Sequence, residues 1–131
     1  MKSSLLVGTT DTGDNNVLRQ IMVPIVNWHA CKQLNADMQI SLTENMLCAG
    51  YLDGSKDSCW GDSGGPLVCK QGDRWWQYGV ISWGNGCAEP DRPGVYADVV
   101  KFLTWIHDKT GGRYLLFIYV YCMLKIYKCK I

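Results

Sequence analysis

The sequence predicts an all-β domain closed by one short helix, and three observations predict it. Short apolar runs bounded by Gly, Pro or Asp recur along residues 17–99, the spacing expected of a barrel or sandwich. One stretch alone carries helical periodicity, with Val99, Phe102, Leu103 and Ile106 at i, i+3, i+4 and i+7. Cysteine is abundant, seven in 131 residues, as in small extracellular domains stapled by disulfides. The length holds one domain, and 47% hydrophobic against 19% charged residues supplies a core without the charge of a disordered chain. A formal net charge of +1 excludes bulk electrostatic binding to nucleic acid or an anionic membrane.

The elements follow in order. Residues 1–16 are expected to form a divergent N-terminal strand and loop, with the Gly-Thr-Thr-Asp-Thr-Gly-Asp-Asn-Asn of 8–16 as a polar turn. The apolar run Leu5-Leu6-Val7 is far shorter than the roughly 7–15 residues of a secretion signal, so none is read. Val17 to Val26 is a strand in which Ile21, Val23 and Ile25 alternate with Met22, Pro24 and Val26, and Pro24 marks an edge or bulge. Trp28 to Met38 is helical in composition. Met46–Gly50, Pro66–Lys70, Trp75–Trp83 and Gly94–Val99 read as strands, and Asp53–Lys56 as a turn. A helix over Val99 to Lys109 ends at Gly111, which suits a left-handed cap. The Trp75-Trp76 pair is assigned to sheet packing rather than to a stacking platform.

The chemistry lies in Asp57-Ser-Cys-Trp-Gly-Asp-Ser-Gly-Gly-Pro66. A nucleophilic serine needs its oxygen exposed at a sharp turn, and Ser63 stands between Gly61 and Gly64-Gly65. The N–H groups of Gly61 and Ser63 could then face the oxyanion that forms when a carbonyl is attacked, usually the largest electrostatic contribution to acyl transfer. The Gly-Asp-Ser-Gly-Gly pattern also satisfies the nucleophile elbow of α/β-hydrolases. That elbow requires a helix straight after the serine, whereas Pro66-Leu67-Val68-Cys69 leads into a strand.

Gly61-Asp-Ser-Gly-Gly-Pro66 resembles the active-serine motif of trypsin-like (chymotrypsin-fold) serine proteases. Asn45 to Gly50, Ser82-Trp83-Gly84, Pro93-Gly94-Val95-Tyr96 and Trp105-Ile106 match further motifs of that family in order. The resemblance runs from about Val17 to about Lys109. It implies the second six-stranded Greek-key barrel of the chymotrypsin fold, incomplete here, with a C-terminal helix. Residues 17–110 would form that barrel and 111–131 an unmatched apolar tail.

The resemblance also implies roles. Ser63 is similar to the nucleophile, with Gly61 and Ser63 forming the oxyanion hole. Asp57, six residues before Ser63, corresponds to the acid at the base of the specificity pocket, which implies Arg or Lys before the scissile bond. Gly84 and Gly94 match the pocket walls, and Ser82, Trp83 and Gly84 the strand that pairs with substrate backbone. Asp62 resembles the acid that meets a new N-terminal ammonium after zymogen cleavage. Pro93 stands where sodium-activated members carry Tyr, so no sodium dependence, metal or cofactor is implied. Cys31 with Cys48 and Cys59 with Cys87 match two family bridges. Cys69 matches a position whose partner lies on an earlier strand, but residues 4–10 hold no cysteine, leaving Cys69 an orphan. Cys122 and Cys129 fall in the tail and lack a neighbouring histidine for zinc.

The family's triad order is His, Asp, Ser, with His and Asp in a first barrel that the resemblance does not cover. The sole upstream histidine, His29, does not resemble the Ala-Ala-His-Cys setting of the base, and Asp11, Asp14 and Asp37 do not resemble the triad acid. Losing the base in such a triad costs around a million-fold in turnover. The expectation is therefore a serine endopeptidase lineage, extracellular, acting on protein or peptide substrates with Arg or Lys and inactive alone. The other function class is a non-catalytic fragment that binds basic peptides or protease inhibitors. The missing N-terminal barrel is a further expected partner, because without it an apolar interface face is exposed. The apolar run Tyr114–Leu124 is shorter than the ~20 residues of a membrane span. Arg113 alone is no spacer for a lipid-anchor signal. The tail is read as a non-native extension or a strand packing on the domain, with no membrane role.

Overall fold

A computed structural model describes residues 19–112 and 129–131. Its seven short strands are β1 (Met22–Val23), β2 (Ile25–Val26), β3 (Met46–Ala49), β4 (Pro66–Gln71), β5 (Arg74–Trp83), β6 (Gly94–Asp98) and β7 (Cys129–Lys130). Two helices, α1 (Trp28–Leu34) and α2 (Leu103–Thr110), flank them, and a 3₁₀ turn over Val99–Phe102 leads into α2. All strand pairs are antiparallel, in the order β1-β7-β4-β5-β6-β3-β2.

The two outermost strands of that order, β1 and β2, are separated in the chain by Pro24 alone. The sheet therefore curls until its ends meet, which is the closed solution to bare sheet edges. Proline enforces the break. It has no N–H to give a ladder, while its carbonyl accepts the Gly50 N–H at 3.0 Å. The kink changes the facing of the side chains. Ile21 and Val23 are buried, but Ile25, expected on the same face, is 38% exposed.

The main core gathers Ile21, Val23, Ala49, Leu67, Cys69, Tyr78, Tyr96 and Cys129 between the strands. A second cluster of Cys31, Leu42, Cys48 and Val95 lies under α1. Helix α1 starts at Asn27, whose side chain accepts the N–H groups of His29 and Ala30 at 2.9 and 3.3 Å. It ends at Leu34, before the expected Met38, and is bound to β3 by the Cys31–Cys48 bridge. Arg92 holds the segment after it, donating to the Leu34 carbonyl at 2.7 Å and to both Asp37 carboxylate oxygens at 2.6 Å. The Arg92 guanidinium holds the Asp37 carboxyl below its ordinary range.

At the C-terminal side, Asp98 accepts the Val100 N–H at 3.0 Å and starts the 3₁₀ turn, so the first turn of the expected helix is the tighter form. Gly111 caps α2 in the left-handed conformation. Trp76 packs on the main core, whereas Trp75 is 47% exposed. The expectation that Cys69 lacks a partner is corrected: Cys69 is bridged to Cys129, directly opposite it on β7. The expectations for residues 1–18, for the apolar run 114–124 and for Cys122 lie outside the described residues.

Leu67 is fully buried on β4, two residues before the Cys69 bridge. Leu67→Ala should cost about 2–5 kcal/mol, read from the shift in urea midpoint at constant slope.

Candidate active site

The segment between β3 and β4 makes the site, and three devices fix it. The Cys59–Cys87 bridge ties it to the loop after β5. The Asp62 carboxylate accepts the Cys59 N–H at 2.8 Å, while the Asp62 N–H donates to the Cys59 carbonyl at 3.0 Å. Ile81 of β5 then grips the far side, its carbonyl accepting from Gly64 N–H and its N–H donating to the Gly65 carbonyl, both at 2.9 Å. The Gly65 N–H donates back to the Asp62 carbonyl at 2.9 Å, closing the turn.

These bonds leave a pattern. The N–H groups of Asp62, Gly64 and Gly65 are committed within the protein, while those of Gly61 and Ser63 meet no backbone acceptor among the described residues. Gly61 has φ +95° and Gly64 φ +85°, values that a side chain rarely adopts, and a Cβ on either would face open space. Conformation rather than crowding thus calls for glycine on both sides of Ser63. The Ser63 residue is itself exposed.

Ser63 lines a cleft of about 170 Å³ together with Asp57, Ser58, Trp60, Ser82, Trp83, Gly84 and Gly94, among others. Asp57 is 7% exposed. Its carboxylate accepts the Ser58 N–H at 2.8 Å and the Ala88 N–H at 3.2 Å. Burial nevertheless pushes its carboxyl above the ordinary range, the two backbone bonds opposing that rise only in part. Tyr96, fully buried, brings its hydroxyl to 3.4 Å from the Ser58 hydroxyl, and burial raises its phenol as well.

Space in the cleft depends on missing side chains. A Cβ on Gly94 would lie 3.0 Å from Asp57 Oδ1 and 3.3 Å from the Tyr96 ring. A Cβ on Gly84 would meet the Gly86 carbonyl at 3.4 Å. The β5–β6 register shifts between Ile81 and Trp83, so exposed Ser82 falls at an irregularity of the ladder. Trp60 stands 77% exposed at the cleft.

The cleft therefore brings together Ser63, Asp57, Ser82, Trp83, Gly84 and Gly94, with Gly61 and Asp62 in the adjoining turn. It does not bring in a histidine. His29 is exposed in α1, His107 is exposed in α2 beside Asp108, and neither lines the cleft. Among the described residues no group of three or more side chains is arranged to hold a metal ion. Sequence reasoning missed Ala88 and Ile81, which act through backbone atoms that no side-chain motif announces.

The trypsin family model matches residues 2–106. The chain is 54% identical over 97 residues to human transmembrane protease serine 5, covering 74% of this chain and 21% of that protein. It is 45% identical over 97 residues to bovine coagulation factor XI, again 74% of this chain and 15% of the relative. The chain belongs to the trypsin family of serine proteases. It spans about a fifth or less of the length of these two relatives.

The raised Asp57 carboxyl has a stability consequence. Between the ordinary value of 3.8 and its raised folded value, the folded state keeps a proton that the unfolded state releases. Asp57 thus makes stability fall as pH rises through that window. Subtracting the urea midpoints of Asp57→Asn from those of the unaltered chain, pH by pH, should recover this falling component. A difference that is flat, or that rises with pH, contradicts it.

Proposed function

We propose that this chain carries the nucleophile and the substrate-recognition half of a serine endopeptidase that cleaves protein after Arg or Lys. The observation that carries the reading is that exposed Ser63 and buried Asp57 line one cleft. A carboxylate set back in a partly dry slot selects a long cationic side chain by charge and depth. Gly84 and Gly94 leave room for such a chain to pass. With that side chain seated, the scissile carbonyl would lie at Ser63. The free N–H groups of Gly61 and Ser63 are then the donors for the developing oxyanion. Exposed Ser82, at the ladder irregularity near the end of β5, is where substrate backbone would pair.

In the reaction, the Ser63 oxygen bonds to the carbonyl carbon, its proton passes to a general base, and the amine departs with a proton from that base. Neither His29 nor His107 serves as that base, since neither lines the cleft. The base belongs instead to a first-barrel partner that packs where Trp60 lies exposed, and the 131 residues alone turn over little substrate. By lineage the setting is extracellular. The described residues contain no helix long and apolar enough to cross a membrane.

The same lack of a cleft histidine favours a second reading, a binding fragment for basic peptides or protease inhibitors. Two measurements test the readings, the first both together and the second one against the other. An arylamidine, a rigid cation of the right depth, should bind the unaltered chain and lose at least about tenfold affinity in Asp57→Asn. A fluorophosphonate should label Ser63 slowly, and denaturation or Ser63→Ala should abolish labelling. Binding without any folding-dependent labelling supports the fragment reading alone. Failure of arylamidine binding removes both.

Raising Gly94 to Val tests the wall separately. Its side chain would crowd Asp57 Oδ1 and Tyr96, so arylamidine affinity should fall by about tenfold or more while fluorophosphonate labelling persists.

A further inference from the structure

Residues 129–131 lie beyond the family-matched span, which ends at residue 106, yet they take an interior place in the sheet. On one side β7 pairs with β1, placing Met22 opposite Lys130 and Val23 opposite Cys129. On the other it pairs with β4, placing Val68 opposite Lys130 and Cys69 opposite Cys129. Ile21 and Ile131 exchange two backbone hydrogen bonds of 2.9 and 3.0 Å. Cys129 is 1% exposed within the main core, and Ile131 packs against that core two residues later. The two share a face, as the period of a strand requires.

Among the described residues, β1 joins the sheet only through β7. Without β7, β1 and β4 would each present an unpaired row of backbone donors and acceptors to solvent. The family resemblance assigns the partner of Cys69 to an earlier strand, and residues 4–10 carry no cysteine.

We propose that the segment Cys129–Ile131 is a self-supplied closing strand. It fills, from the chain's own C-terminal side, the slot between β1 and β4, and the Cys69–Cys129 bridge retains it there. Such a slot accepts an extended segment through backbone bonds and selects it by alternate side chains. Here the selecting pair is Cys129 and Ile131. A tethered segment competes at an effective concentration on the order of millimolar, so the chain's own strand displaces the same strand of a second copy. While seated, it also denies both edges to any other strand.

The test uses the full chain. Non-reducing peptide mapping should link Cys69 to Cys129 within a monomer. A Cys69–Cys122 link, an alkylatable Cys69, or a disulfide-linked dimer would overturn the proposal. Ile131→Pro removes the N–H that the Ile21 carbonyl accepts and leaves all three mapped bridges in place. Amide hydrogen exchange across Ile21–Val23 should then quicken by about tenfold or more, with β5 and β6 within about twofold of the unaltered chain. Cys129→Ser should give the same local pattern, and Ile131→Pro decides alone if the serine variant does not fold. Unchanged exchange at Ile21–Val23 in Ile131→Pro overturns the closing-strand role.

Discussion

A turn that leaves two of its N–H groups without a backbone acceptor has to be held by everything except those groups. Residues 59–65 meet that constraint through alternation. Asp62, Gly64 and Gly65 spend their N–H groups inside the protein, and the Asp62 carboxylate spends itself on Cys59. Gly61 and Ser63 are left over. Buried amides are normally paired, so donors without a protein acceptor are tolerated at the surface, where water can satisfy them. Exposed Ser63 on a disulfide-anchored turn is that arrangement. The arrangement depends on Ile81, because without a strand fixed opposite Gly64 and Gly65 the turn could relax and consume its own donors.

The fixed strand depends in turn on the closed sheet. Ile81 lies on β5, between β4 and β6, and β4 is the direct continuation of the serine turn through Pro66. One flank of β4 is β5 and the other is β7. Closure by a two-residue strand from the far end of the chain therefore bears on the same element that carries Ser63 into the sheet. The core makes this concrete, since Leu67 and Cys69 of β4 pack with Cys129 of β7 and with Tyr96 of β6. Tyr96 also reaches the cleft through Ser58. Core and cleft share one buried phenol, so closing the sheet and shaping the pocket are coupled in packing.

Much of this was legible in the residues. Strands β3 to β6 announced themselves through short apolar runs between turn formers, and the helix end through Gly111. Exposed Ser63 between glycines was legible in the residues themselves, whereas Asp57, Ser82, Trp83, Gly84 and Gly94 were placed only through the family resemblance. What escaped had a physical cause in each case. The alternation Ile21, Val23, Ile25 reads as one face, but a proline mid-strand breaks the ladder and lets Ile25 turn outward. Ala88 and Ile81 act through backbone atoms, which every residue possesses. The bridge of Cys69 crosses sixty positions of sequence, a separation at which local pattern has nothing to say and the resemblance pointed to an earlier strand.

Asp57 shows how far the site is built at the fold's expense. Two backbone N–H groups receive its oxygens, yet burial still outweighs them and lifts its carboxyl above the usual range. A carboxylate meant only to stabilise the fold would be served better by a third donor or by exposure. Each would lower its charge penalty. Instead the position of Gly94, with no side chain, keeps the space beside Oδ1 open. A buried anion that is under-compensated, beside a space kept clear of protein, gains most from a cation supplied by a ligand. On the proposed reading, a bound guanidinium or ammonium would offset part of the penalty that burial places on the Asp57 charge. On that reading the acid, rather than the serine, would set what the cleft selects.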